Sequence, residues 1–246
     1  WRLASFGIFT FLLLLAPTSS IVPIQDVLAE RRLYLPFIGL ALVCLEFLRR
    51  LNLKQRAIIE AGVLIALMVL TYQRSAIWGD TLALWRDTAA KSPHKVRPRF
   101  HLAYAYYERN QCPQAAQNYE IASRLAPPDY TLLYDWSQAL ECAGQPDEAV
   151  AKLHTALNLN RSAQAWERIG TIYGERNRVD EALAALDEAQ KIDPNYQVTY
   201  ITRGKVYQKQ GNAGAAARQY QRAIEINPLS QAAEMARQAL AGLQRR

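Results

Sequence analysis

Three cysteines and three histidines are the softest donors in this 246-residue chain, and their spacing limits the chemistry they support. There is no Cys-x2-Cys pair and no Cys/His cluster with metal-ligand spacing, so the sequence offers no metal site and calls for no cofactor. His94, His101 and His154 are scattered, and no nucleophile stands beside a base in a recognisable motif. Glu46 and Glu60 interrupt apolar stretches, where an acid can mark a function. However, Glu46 precedes Arg49 and Arg50 by three and four residues, and Glu60 follows Arg56 by four. Such spacing pairs charges along one helix face. Cys44 lies in an apolar stretch and reads as packing. Whether Cys112 and Cys142 meet depends on the elements that carry them.

Those elements repeat. Trp166, Ile169, Gly170, Tyr173, Ala182, Leu186, Ala189 and Pro194 follow the tetratricopeptide spacing W-x2-L-G-x2-Y…A-x3-F-x2-A…P, a two-helix unit of about 34 residues. A copy upstream has Leu102, Ala103, Tyr106, Ala115, Tyr119, Ala122 and Pro127. The next has Trp136, Ser137, Leu140, Ala149, Leu153 and Ala156, with Arg161 where Pro is usual. The last has Tyr200, Gly204, Tyr207, Ala216, Tyr220, Ala223 and Pro228. Small residues stand where the two helices of a repeat cross, large ones fill the gaps, and Pro ends the second helix. The expectation is an all-α chain in which residues 96–246 form an α-solenoid of four repeats. Ser230–Leu243 would be its polar-backed last helix, and residues 77–95 would carry a capping helix from Trp78 to Ser92.

A repeat array binds more often than it catalyses. Positions 2, 5, 9 and 12 of each first helix face the concave side of this repeat type. They are Arg97, Phe100, Tyr104 and Tyr107; Thr131, Tyr134, Gln138 and Glu141; Gln164, Glu167, Thr171 and Gly174; Val198, Ile201, Lys205 and Gln208. The candidate peptide-binding groove is drawn from them: Arg97, Phe100, Tyr104, Tyr107, Tyr134, Gln138, Glu167 and Lys205. Its aromatic end suits an extended peptide or a glycan, because planar rings give contact area at low entropy cost. His101, Asp135, Arg168 and Thr202 stand where Asn would help a basic clamp capture a C-terminal carboxylate, so that clamp is absent. Cys112 falls in the turn of the first repeat and Cys142 at the end of the first helix of the second. Neighbouring repeats stack these turns, so the two could form a disulfide in an oxidising compartment.

The first 76 residues differ in composition. Leu3–Ala16, Leu33–Leu48 and Ala57–Tyr72 are apolar stretches, each short of the ~20 residues that span a bilayer. The near absence of charge inside them leads to an expectation of about three transmembrane helices, the first truncated. The Arg49–Arg56 loop holds Arg49, Arg50, Lys54 and Arg56 and no acid, whereas Pro17–Arg32 is balanced by Asp26 and Glu30. The positive-inside rule then makes the former cytoplasmic and sends the repeats to the periplasmic or lumenal side of a multi-pass membrane protein, in a bacterium the inner membrane. The formal net charge is +7. Residues 1–95 hold 11 Lys/Arg against 6 Asp/Glu, and residues 96–246 hold 18 against 16. The excess therefore flanks the apolar stretches, which argues against a nucleic-acid partner.

Ala16-Pro17-Thr18-Ser19-Ser20 followed by Ala29-Glu30-Arg31-Arg32-Leu33-Tyr34-Leu35-Pro36 resembles the transmembrane and tetratricopeptide-repeat (TMTC-like) proteins of the GT-C superfamily of membrane glycosyltransferases. Arg74 and Trp78 fit the segment between that family's last span and its repeats. Ser20 stands where the family usually has Asn, and Phe37 where it has Ser. The resemblance implies the C-terminal part of a protein O-glycosyltransferase, without the acidic catalytic loop found near the start of such enzymes. It also implies a lipid-linked sugar, membrane lipid and an acceptor protein or peptide as partners. Glu30, Arg31 and Arg32 would bind the lipid phosphate, with Glu30 orienting the two cations. The competing reading is a non-catalytic, membrane-anchored scaffold for assembly of an envelope complex.

Overall fold

The computed structural model describes residues 1–15 and 34–244. Among them are thirteen helices and no strand. The chain divides into two units, Trp1–Ala76 and Ile77–Arg246.

The first unit holds α1 (Arg2–Leu15), α2 (Tyr34–Leu48) and the greater part of α3 (Leu53–Trp78). α1 and α2 pack closely through Gly7 and Gly39, where an added Cβ would meet the facing backbone within 3 Å. Glu46 pairs with Arg50 at 3.3 Å and Glu60 with Arg56 at 2.8 Å, each along its own helix. The expectation of transmembrane spans is not met by these helices: among the described residues no helix is long and apolar enough to cross a membrane. α1 and α2 have 14 and 15 residues. At ~1.5 Å per residue that is far below the ~30 Å of a hydrocarbon core. α3 has 26 residues, but Lys54, Arg56 and Glu60 occupy its first turns.

In the second unit α4 (Thr81–Lys91) starts three residues later than the sequence suggests, because Trp78 belongs to α3. Asp80 sets the start by accepting a hydrogen bond from the Leu82 amide at 2.9 Å. Four helix pairs follow: α5 (Val96–Glu108) with α6 (Cys112–Leu125), α7 (Tyr130–Cys142) with α8 (Pro146–Leu159), α9 (Ala163–Glu175) with α10 (Val179–Ile192), and α11 (Gln197–Lys209) with α12 (Ala213–Ile226). α13 (Gln231–Gln244) closes the array.

Each pair crosses at a small residue. Ala103, Ser137, Gly170 and Gly204 are all buried. Their counterparts Tyr119, Leu153, Leu186 and Tyr220 are at most 1% exposed. The turn inside each pair also recurs. Asn110, Gly144, Asn177 and Gly211 have φ of 57°, 78°, 61° and 78°, a left-handed conformation that Gly and Asn accept most readily. Polar ties join successive pairs. Tyr130 donates to Ser162 Oγ at 2.9 Å, and Lys209 Nζ donates to the Gly174 and Glu175 carbonyls at 2.9 and 2.7 Å. The latter satisfies the Glu175 carbonyl at the end of α9 and adds a second donor to the Gly174 carbonyl, which the Asn177 amide already reaches at 3.2 Å.

Candidate functional site

The first helices of the pairs, α5, α7, α9 and α11, supply the candidate groove. A cleft of about 450 Å³ lies at α5 and α7. Tyr104 and Tyr107 from α5, Tyr119 from α6, Tyr130, Thr131, Tyr134, Asp135 and Gln138 from α7, and Gln164 from α9 line it. Tyr104 is 44% exposed. The Tyr107 hydroxyl donates to Gln138 Oε1 at 3.4 Å, and the rings of Tyr130 and Tyr134 stack with centroids 5.9 Å apart.

The electrostatics of this cleft are lopsided. Burial, helped by the nearby Asp129, raises the Asp135 carboxyl to about 6. Burial likewise pushes the Tyr134 phenol up to about 12 and raises Tyr119, the latter also through the charge of Asp135. The Tyr119 hydroxyl is buried and finds no hydrogen-bond partner among the described residues. The cleft therefore offers aromatic faces and oxygen acceptors.

The other groove candidates are spread along the array. Arg97 and Phe100 line a neighbouring cleft of about 360 Å³ with Asp129. Lys205 is exposed beside a smaller one, about 140 Å³, with Thr171, Thr202 and Lys209. Glu167 is only 7% exposed and accepts from Thr171 Oγ1 at 2.8 Å and Thr202 Oγ1 at 2.5 Å. Its carboxylate is thus committed to holding α9 against α11. Ile201 is 2% exposed and belongs to the core. Tyr119, Tyr130 and Asp135 were not among the sequence candidates. Tyr130 precedes Tyr134 by one helical turn, which was the available signal. Glu30, Arg31 and Arg32 lie outside the described residues.

The Cys112 and Cys142 sulfurs are bonded, with Cα atoms 5.6 Å apart. The bond joins the first residue of α6 to the last of α7. Among the described residues no group of His, Cys, Asp or Glu is placed to hold a metal ion.

Two family profiles, each described as tetratricopeptide repeat, match residues 134–196 and 198–228. Over those residues the helix pairs match the tetratricopeptide repeat. The array also has the fold of YrrB, described as a TPR protein with an unusual peptide-binding site. The TM-score is 0.51 at 22% identity, over 64% of this chain and 81% of that one. In sequence the chain is similar to Protein O-mannosyl-transferase TMTC1 of Homo sapiens, 26% identical over 149 residues, or 58% of this chain. It is also similar to Protein O-mannosyl-transferase F38B6.6 of Caenorhabditis elegans, 28% identical over 124 residues, or 49% of this chain. The aligned part spans 17% of either relative's length. The resemblance to the TMTC-like proteins read from the sequence therefore holds.

Proposed function

We propose that the repeats bind an extended polypeptide in the groove formed by their first helices, and that they do so as the C-terminal region of a membrane protein resembling the O-mannosyltransferases. The cleft at α5 and α7 carries this reading: five tyrosines from three helices meet there with Gln138 and Gln164. Tyrosine offers large, rigid, amphipathic contact area, and glutamine offers both a donor and an acceptor to a peptide backbone. That YrrB is described as having a peptide-binding site supports the same use of the fold.

Two observations support a non-cytoplasmic, membrane-bound setting. Bonded cysteines persist in oxidising compartments, and Cys112 and Cys142 are paired. The first unit leaves Phe9, Leu13, Ile58 and Leu64 more than half exposed, a shell that lipid would cover. In the whole protein the bound polypeptide would be the acceptor for sugar transfer, and Glu30, Arg31 and Arg32 would meet the lipid-linked donor's phosphate. Arg31→Ala would then abolish transfer and Arg31→Lys would restore it poorly, because a point charge lacks the bidentate fork.

The groove is tested with the 246-residue chain and a random dodecapeptide library with blocked termini. The expected result is retained peptides whose affinity falls about tenfold or more in Tyr104→Ala/Tyr107→Ala, since each truncation removes a buried aromatic contact. Retention unchanged by that double substitution, or no retention by the unsubstituted chain, contradicts the reading.

A further inference from the structure

Two acceptors in the tyrosine cleft, Asp135 and the Tyr119 hydroxyl, have no donor among the described residues, whereas Gln138 Oε1 there accepts from Tyr107. Asp135 sits half-buried on α7 with no hydrogen bond or ion pair to another described residue. The charge that acts on it is the carboxylate of Asp129, which repels rather than neutralises. The Tyr119 hydroxyl at the same cleft is buried and also unpartnered. Both groups incur a desolvation cost that nothing among the described residues offsets. Elsewhere in the array comparable acids have partners: Glu141 faces the Arg168 cation at 2.8 Å, and Glu167 accepts from two threonines.

Two lone acceptors among aromatic rings fit a group that is rich in donors, positively charged and able to lie on a ring face. We propose that the cleft formed by Tyr104, Tyr107, Tyr119, Tyr130, Tyr134 and Asp135 is a specificity pocket for one Arg or Lys side chain of the polypeptide bound in the groove. The inference rests on the peptide-binding reading above and adds the identity of the anchoring residue. A cation would pair with Asp135, donate to Tyr119 Oη and stack against the tyrosine faces, three interactions that a neutral residue cannot make together. An acidic residue would meet Asp135 and Asp129 and be rejected, so the pocket discriminates by repulsion as well as attraction. A guanidinium uses the site more fully than an ammonium, because its planar fork stacks and donates at once.

The test is the residue composition of dodecapeptides retained from the blocked random library. The unsubstituted chain is expected to enrich Arg or Lys at one position. Asp135→Asn should still retain peptides while losing that enrichment, and Asp135→Glu should keep it. Changing the enriched Arg to citrulline in one retained peptide should weaken binding to the unsubstituted chain about tenfold or more, because shape is kept and charge is lost. Peptides retained without basic enrichment, enrichment that survives Asp135→Asn, or full affinity for the citrulline peptide would each overturn the pocket and leave the groove standing. Preferential retention of a neutral oligosaccharide such as mannotriose would also overturn it. Failure to retain any peptide removes the groove reading and the pocket with it.

Discussion

Gly204 of α11 faces the ring of Tyr220 in α12 so closely that an added Cβ would lie 2.5 Å from a ring carbon. Tyr220 is fully buried, and its hydroxyl is tied to Gln208 Oε1 at 2.9 Å, so the ring has nowhere to retreat. Gly170 stands in the same relation to Leu186 one pair earlier, at 2.7 Å. These contacts set how closely the two helices of a repeat cross. Gly204→Ala is expected to destabilise the array by about 1–3 kcal/mol, the usual range for overpacking a filled core. Gly242 of α13 provides the control, since an added Cβ there meets nothing within 4 Å. Gly242→Ala should stabilise the helix by about 0.5–1 kcal/mol. Thermal unfolding followed by circular dichroism separates the two, and equal shifts would mean that the crossing is not tight.

The paired cysteines give a second expectation. Thiol labelling of the unfolded, unreduced chain should modify Cys44 alone, because Cys112 and Cys142 are bonded. Reduction should cost about 3.5 kcal/mol, the loop-closure entropy of a 30-residue separation. Three labelled thiols without reductant would show that α6 and α7 stand together without the bond.

Asp135 gives a pH dependence of stability with a definite sign. Its folded carboxyl is raised to about 6, so between roughly pH 4 and 6 the folded chain holds a proton that the unfolded chain has released. Stability from this group is complete at the acid end and is lost as pH rises through that window. Asp135→Asn should therefore stabilise the chain at pH 7 and leave it nearly unchanged at pH 4. The gain is on the order of 1 kcal/mol after allowance for solvent screening at a half-buried site. Urea midpoints at the two pH values measure it, and stabilisation at pH 4 but not pH 7 would contradict the assignment.

The repeat register was legible in the sequence because crossing residues recur at 34, 33 and 34 positions and side-chain size alone marks them. The left-handed turn residues Asn110, Gly144, Asn177 and Gly211 keep the same steps and could have been read the same way. The roles of individual groove residues were harder to see. Glu167 and Asp135 are both acids on inner helices, yet Thr171 and Thr202 satisfy Glu167 while no described residue satisfies Asp135. That difference depends on which side chain the next repeat brings opposite, and spacing along one helix does not record it. Helix ends blurred for a simpler reason. Trp78 continues α3, and the Asp80 cap rather than the hydrophobic pattern sets where α4 begins.

The most direct measurement of the central claim is the location of the bound peptide. A photoreactive phenylalanine analogue placed at Tyr104, and separately at Glu188 on α10, can be irradiated with a peptide retained from the blocked library. Tyr104 lines the tyrosine cleft, whereas Glu188 lies on a second helix and is paired with Lys191. The expected result is a cross-link from position 104, lost when unlabelled peptide competes, and none from position 188. A cross-link from 188 with none from 104 would place the ligand on the outer helices and contradict the account.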